Sequence, residues 1–388
     1  MSDTARPAPP TVFQRFLLPG LAFKAVVIGG GYATGRELAE FFLPSGPRGG
    51  LAAILLAMLV FSLVCIGTFL FARATASRDY QSFFKALLGP GWVAFEAVYI
   101  LFVVLILAVY GAAAGAIGEA VFGVWPAIGT LALAGGIVAC VTFGNKAVER
   151  LFEYASWILY GVYALFVLLA FMRFGDRISA GFAAAAPAPG AAKGWALGGV
   201  TYASYNLIGA VVILPVTRHL TSGRDAVIAG ALAGPLAMLP GFLFFVVMVG
   251  FDPDIAGAAL PSDYLLQRMG LPAFHLLFQL MIFAALLESG ASAVHAINER
   301  INGAWTRRRS SPLPPRARLA VSLALLLGCM FLASRFGLVA LIAGGYRMLA
   351  WLMLSVFILP LLTLGARRIA AGLARSAGPE PIASEEGQ

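Results

Sequence analysis

Two short polar stretches interrupt apolar segments of the sequence, and their residues are the first candidates for chemistry. One is GGGYATGREL, residues 29–38, and the other is TYASYNLIG, residues 201–209. Each glycine costs a helix about 1 kcal/mol relative to alanine, so the helix is expected to break at the first stretch. Backbone groups released by such a break can bind ions or polar ligands. The alternatives are close helix packing for the first stretch and ordinary interhelical hydrogen bonds for the second.

A second set of candidates consists of polar side chains inside another apolar segment. Glu288 stands near its middle, next to Ser289, and Ser292, His295 and Glu299 follow on the same helical face. A carboxylate at such depth is costly and marks either a functional pathway or a structural ion pair. The last two of these residues, His295 and Glu299, are expected at a solvated helix end.

The composition defines the class of protein. Of 388 residues, 60% are hydrophobic and only 12% are charged, whereas a globular chain carries roughly 25% charged residues. The apolar residues form long blocks, which predicts a polytopic helical membrane protein. A water-soluble enzyme, a nucleic-acid-binding protein and a single-span receptor are excluded. The three cysteines lie in apolar blocks and indicate no disulfide framework.

Ten membrane spans are predicted, numbered here in chain order. Most of the 27 basic residues fall in segments that share one side of the membrane if both termini are cytoplasmic. The expected location is therefore a bacterial-type inner (plasma) membrane, with lipid as the surrounding partner. The predicted spans are 16–43, 49–72, 92–118, 124–143, 147–172, 195–217, 224–250, 272–301, 317–335 and 337–365.

The spans divide into two groups of five. Residues 16–173 form the first group and 195–367 the second, joined by an extracytoplasmic linker at 174–194. Residues 1–15 are expected to be a disordered cytoplasmic tail, and 368–388 a second cytoplasmic tail. The sequence gives no indication of the oligomeric state.

The interrupted spans 1 and 6 occupy matching positions in the two groups. Such a pair is typical of a secondary transporter built from two inverted five-helix repeats, with its binding site between the breaks. The sequence thus predicts an all-α, LeuT-like 5+5 inverted repeat in which helices 1 and 6 are broken. The predicted substrate-binding residues of the two breaks are Gly30, Gly31, Tyr32, Thr34, Gly35, Tyr202, Ser204, Tyr205 and Asn206.

The first break also carries a family resemblance. GGGYATGRELAEFF, followed by a Gly/Pro-rich turn, resembles the first-helix signature of YkvI-type bacterial membrane proteins, and AINERI at 296–301 resembles the end of their helix eight. These proteins are similar to the amino acid–polyamine–organocation (APC) superfamily with its LeuT-type fold. The resemblance implies alternating-access transport of a small organic solute such as an amino acid. Because span 3 lines the cavity in similar folds, it also implies a site role for Tyr110.

The resemblance further implies where a coupling ion would bind. In the LeuT-type pattern a sodium ion lies between the first break and hydroxyl residues of helix eight. Here the matching positions are Gly29, Gly30 and Ala33 with Ser289 and Ser292. Two departures from the LeuT-type pattern leave the identity of the coupling ion open. Glu288 could carry a proton, and Lys24, near the break, could replace a coupling cation. No cofactor is expected beyond Na⁺ or H⁺.

Charged residues at one end of spans 1 and 10 suggest a gate. Arg36 and Glu37 follow the first break, and Arg347 lies within span 10. A membrane arginine needs a partner, for which Glu37 or Glu40 is suitable. The hypothesis is an outer gate of breakable ion pairs formed by Arg36, Glu37 and Arg347, as in similar transporters. The alternative is a permanent structural pair.

Two other functions are alternatives to a solute transporter. A channel or a sensory protein that has lost transport would keep the same breaks. An intramembrane enzyme would need a nucleophile–base pair or metal ligands at membrane depth, yet the chain has three histidines and lacks HExxH and GxSxG motifs. The protein is therefore expected not to be an enzyme, and its expected partners are a small-molecule solute and the bilayer, not nucleic acid.

Overall fold

The fold was analysed in a computed structural model that describes residues 9–143, 146–184 and 194–376. These residues are almost entirely helical and include no β-strand. Seven helical segments of the described chain are long and apolar enough to cross a membrane. The prediction of an all-α polytopic membrane protein is confirmed.

Each predicted span corresponds to helical structure, and the interrupted spans consist of shorter pieces. The pieces of span 1 are Leu18–Val27, Gly30–Ala33 and Arg36–Phe41, and those of span 6 are Trp195–Asn206, Ile208–Val212 and the 3₁₀ turns Leu214–His219. The uninterrupted spans are Gly46–Ala74 (span 2), Trp92–Phe122 (span 3), Pro126–Phe143 (span 4), Lys146–Ala184 (span 5), Gly223–Val249 (span 7) and Pro272–Arg309 (span 8). Span 9 is Pro315–Ala340, and span 10 alternates π-helical and α-helical turns over 341–365. Short helices Tyr80–Leu88 and Pro261–Met269 lie in two connections, and Ala366–Ser376 follows span 10.

Helical structure extends beyond three predicted boundaries. The first turn begins at Phe13, inside the predicted tail 1–15, and Ala366–Ser376 enters the predicted tail 368–388. Span 5 continues to Ala184, inside the predicted linker 174–194, because its end packs on an outer loop, where the Arg177 side chain donates to the Gly250 carbonyl at 2.7 Å. The remainder of these three predicted segments, residues 1–8, 185–193 and 377–388, lies outside the described residues.

The spans form two packed groups. Spans 1, 2, 6 and 7 pack on one another, and spans 3, 4, 8 and 9 form a second layer. Glycine permits the tightest contacts in both groups: a Cβ atom on Gly199 of span 6 would lie 2.6 Å from the Ala53 carbonyl oxygen of span 2. This close backbone approach is how helices associate where the surrounding lipid offers no hydrophobic driving force.

The two interruptions differ in degree. Span 1 leaves helical geometry at Ile28, which has φ −76° and ψ 70°, and turns again at Gly35, whose φ of 80° is left-handed. Span 6 is interrupted only by a tight turn at Leu207. The polar residues at 201–206, termed here the polar knot, stay helical. Ser204 and Asn206 donate to carbonyl groups of their own helix, four residues earlier, so these side chains find partners without a break in the helix.

The contact between spans 2 and 7 provides a test of the fold. A Cβ atom on Gly234 would overlap the Met58 carbonyl oxygen, whereas one on Gly135 of span 4 would meet nothing within 4 Å. We expect Gly234→Ala to destabilise the protein by about 1–3 kcal/mol. Gly135→Ala should be neutral or stabilise by up to about 1 kcal/mol. Thermal unfolding of both variants in lipid nanodiscs measures the difference, and equal midpoints would contradict this packing.

Candidate functional site

A cavity of about 330 Å³ lies at the first break, enclosed by spans 1, 3, 5, 6, 8 and 10. Its walls are mostly aliphatic and aromatic, which is the usual composition of a small-molecule site. Two acidic residues line it, Glu37 and Glu288. The other lining residues that carry polar groups are Tyr99, Tyr110, Tyr160, Tyr205, Tyr346, Ser289, Ser292 and Asn206.

Span 1 contributes backbone to the cavity where its helix breaks. Gly29 lines the cavity, and a Cβ atom there would lie 3.1 Å from the Tyr110 hydroxyl oxygen. The absence of a side chain therefore lets span 3 approach the break. Tyr110 also lies beside Ser289, so spans 1, 3 and 8 meet at this point.

A buried hydrogen bond joins the two interrupted spans on the outer side of the cavity. The Tyr205 hydroxyl of span 6 donates to Glu37 Oε2 of span 1 at 2.6 Å, and the Glu37 residue is only 3% exposed. Tyr346 of span 10 covers this pair, with its ring centroid 4.5 Å from that of Tyr205. Three spans are thus held together above the cavity.

A second layer of contacts closes the same side further out. Arg36 Nη1 donates to the carbonyl oxygens of Ala256 and Ala258, in the loop after span 7, at 2.7 and 3.0 Å. The backbone N–H of Ser262, on the next short helix, donates to the Thr34 carbonyl at 2.9 Å. The loop therefore covers the outer half of span 1.

The predicted gate residues lie close together, but their pairing differs from the hypothesis. Glu40, not Glu37, accepts from Arg36 at 3.0 Å and lies 3.7 Å from Arg347. The Glu37 side chain lies about one helical turn before Glu40 and accepts a hydrogen bond from Tyr205 instead of from the arginines. Arg36 and Arg347 remain at the outer end of the site.

The cavity is open toward the membrane face at which spans 1, 3 and 7 begin, termed here the inner face. A second cavity of about 490 Å³ lies there, and Tyr99, Val212 and Ala296 line both cavities. Arg300 stands at the inner mouth, bound to Glu96 at 2.8 Å. The two cavities adjoin at these three residues and lie between the break and the inner face, whereas the contacts described above close the opposite, outer face.

Several predicted substrate-binding residues lie away from the cavity. Tyr32 is fully buried and donates to the Ala237 carbonyl of span 7 at 3.2 Å. Tyr202 packs among phenylalanine rings, 4.9 Å from that of Phe42. Ser204 bonds to its own helix. Side chains of adjacent helical residues point in different directions, so only Tyr205 and Asn206 of the polar knot face the cavity.

The rest of the first break also contacts protein. Thr34 and Gly35 are not among the described residues at the cavity surface, and the predicted roles of Gly30 and Gly31 fall outside what the structure describes. A Cβ atom on Gly35 would lie 2.7 Å from the Phe244 ring of span 7. This part of the break is therefore packed against span 7 and the outer loop.

The predicted ion-coupling residues fall into two groups. Gly29, Glu288, Ser289 and Ser292 share the main cavity. Ala33 and Lys24 instead line a crevice between spans 1, 5 and 7, where the Lys24 Nζ atom lies 4.2 Å from the centroid of the Tyr160 ring. The described residues contain no cluster of three or more His, Cys, Asp or Glu side chains suited to a metal ion.

Two residues of the site were missed at the level of sequence. The sequence predicts Glu37 only as a gate residue, and Tyr346 is not among the predicted site residues. Tyr346 carries no signal of its own, because tyrosine is also common at membrane interfaces. Its role depends on the packing of span 10 against span 6.

Comparison with known proteins agrees with this architecture. No family model matches the sequence. The chain is 26% identical over 288 residues to the uncharacterized membrane protein YkvI of Bacillus subtilis (strain 168), covering 72% of this chain and 80% of that protein. This similarity agrees with the resemblance found in the first-helix motif.

Two solved structures share the fold. The crystal structure of MhsT in complex with L-phenylalanine matches with a TM-score of 0.56 at 17% identity, covering 95% of this chain and 99% of that one. The substrate-bound outward-open state of a Na⁺-coupled sialic acid symporter matches with a TM-score of 0.59 at 13% identity, covering 91% and 82%. The chain therefore has the LeuT-type fold, as predicted.

Proposed function

We propose that the protein is a secondary transporter that moves a small organic solute across the membrane by alternating access. The observation that carries this proposal is the path at the first break, which is open to the inner face and closed at the outer face. Alternating access requires a central site that faces one side at a time. The solute is expected to be an amino acid or a related compound.

The structural neighbours support a transporter over the two alternatives. One is a symporter and the other is bound to an amino acid, although their low identity bears on the fold alone. A channel in a conducting state needs a continuous pore, whereas the outer side here is sealed by several layers of contacts. The mostly apolar walls of the cavity fit solute binding.

Two coupling modes are compatible with the site. Na⁺ prefers oxygen ligands, and the hydroxyls of Ser289 and Ser292 and the Gly29 backbone lie around one cavity. Alternatively, Glu288 carries a proton between the two faces. In either mode the proposed topology places the inner face in the cytoplasm of a bacterial-type cell.

Uptake by purified protein in liposomes tests the function and separates the coupling modes. If H⁺ drives transport, Glu288→Gln should lower uptake at least tenfold and Na⁺ should have no effect. If Na⁺ drives it, Ser292→Ala should raise the Na⁺ concentration required. Glu119→Gln and Ser355→Ala alter exposed residues outside the cavity and serve as controls. Failure of a broad panel of solutes to enter under either gradient would contradict the proposal.

The accessibility of the site gives a second test. We introduce Ala296→Cys or Ala259→Cys, separately, into a variant that lacks the native cysteines. Ala296 lines the inner path, and Ala259 is exposed on the outer loop. Without solute, a membrane-impermeant maleimide should label position 296 only from the inner face and position 259 only from the outer face. Equal labelling of position 296 from both faces would indicate an open channel instead.

A further inference from the structure

We propose that the central cavity binds the ammonium group of an amine that carries no free carboxylate, with Glu37 as its counter-ion. This inference rests on the proposed transport function and narrows its substrate class from amino acids and related compounds to organic cations. Glu37 is the group that carries it, because its carboxyl lies at the cavity surface between the two interrupted spans.

The charges around the cavity favour a cation. The described residues that line it include Glu37 and Glu288 and no lysine, arginine or histidine. A ligand carboxylate would lie near Glu37 without a positive side chain from the described lining, and like charges at short range repel strongly when water is excluded. An ammonium group instead gains a charge-assisted hydrogen bond.

Three cationic side chains around the cavity are engaged elsewhere. Arg36 binds two loop carbonyls and Glu40 on the outer side. Lys24 lies in the adjoining crevice, which shares Tyr160 with the cavity, and its Nζ atom lies over the Tyr160 ring. Arg300 stands at the inner mouth, in its ion pair with Glu96. None of these three lines the central cavity, so none is placed to receive a ligand carboxylate there.

The outermost helical piece of span 1, Arg36–Phe41, also offers little to a carboxylate. A carboxylate ligand could bind to the exposed N-terminus of a half-helix. The two residues before this piece are covered: Gly35 packs on Phe244 and Pro261, and Thr34 accepts from the Ser262 backbone. This helix end therefore faces protein and not the cavity.

Tyrosine rings complete a cation site. Tyr205 and Tyr346 lie around the Glu37 carboxyl, and Tyr110 forms the wall beside the break. Aromatic faces attract cations, most strongly where water is excluded. The same protein already uses this interaction, because the guanidinium carbon of Arg300 lies 3.5 Å from the centroid of the Tyr99 ring. The aliphatic remainder of the cavity fits an apolar body.

Ligand-dependent thermal stability of the full-length protein tests the substrate class. The probes are phenethylamine, its carboxylated counterpart phenylalanine, the anion 3-phenylpropanoate and the neutral 2-phenylethanol, with cadaverine and choline as amines of other shapes. At equal concentration, at least one amine should raise the unfolding midpoint saturably by several degrees. Phenylalanine, phenylpropanoate and phenylethanol should not.

Variants assign the effect to Glu37. Glu37→Gln keeps an oxygen that can accept from Tyr205 but removes the charge, so the apparent affinity for the amine should fall about 30-fold or more. Glu119→Gln, an exposed glutamate of span 3 outside the cavity, should bind as the unmodified protein does. If Glu37→Gln fails to fold, the ligand comparison on the unmodified protein still decides the question.

Each remaining outcome has a defined meaning. Stabilisation by phenylalanine or phenylpropanoate but not by amines, equal stabilisation by phenylethanol, or unchanged affinity in Glu37→Gln would overturn the amine site. Lack of any effect from all three amines would overturn it as well. Uptake of an amino acid but no amine would leave the transporter proposal standing and refute this one. Amine binding without uptake under either ion gradient would support the amine site and refute the transporter proposal.

Discussion

The hydrogen bond from Tyr205 to Glu37 connects the two interrupted spans, and the rest of the site depends on it. Polar groups at membrane depth need partners, since lipid offers none. Here a hydroxyl from span 6 and a carboxyl from span 1 satisfy each other at 2.6 Å, and Tyr346 of span 10 shields them. This contact therefore forms the innermost of the layers that close the outer side, and it brings both halves of the chain together at the cavity.

The asymmetry of the structure follows from this contact. On the outer side, the Arg36 side chain ties span 1 to the loop after span 7, and Glu40 links Arg36 to Arg347. At the inner side, Tyr99, Val212 and Ala296 line both of the adjoining cavities. An alternating-access cycle would break the outer contacts and close the inner path. Because Glu37 both lines the cavity and accepts from Tyr205, the proposed binding of a cation there would act directly on a contact that seals the outer side.

The sequence predicted the fold better than the site. Long apolar blocks and the glycines at 29–31 were enough for the class and for the first break, because both reflect local chain energetics. The sequence also brought Glu288, Ser289 and Tyr205 into the candidate set. It could not predict that Tyr32 and Tyr202 point into packed protein, or that Glu40 and not Glu37 meets the arginines. These depend on how neighbouring spans rotate, which polarity alone does not determine.

An experimental structure of the protein in lipid nanodiscs, determined by cryo-electron microscopy without added solute, tests the central claim most directly. The account predicts that spans 1 and 6 are interrupted at 28–35 and near Leu207, with Tyr205 in hydrogen-bond contact with Glu37 above one shared cavity. Two continuous helices, or interruptions that border separate spaces with Glu37 directed away from both, would contradict it.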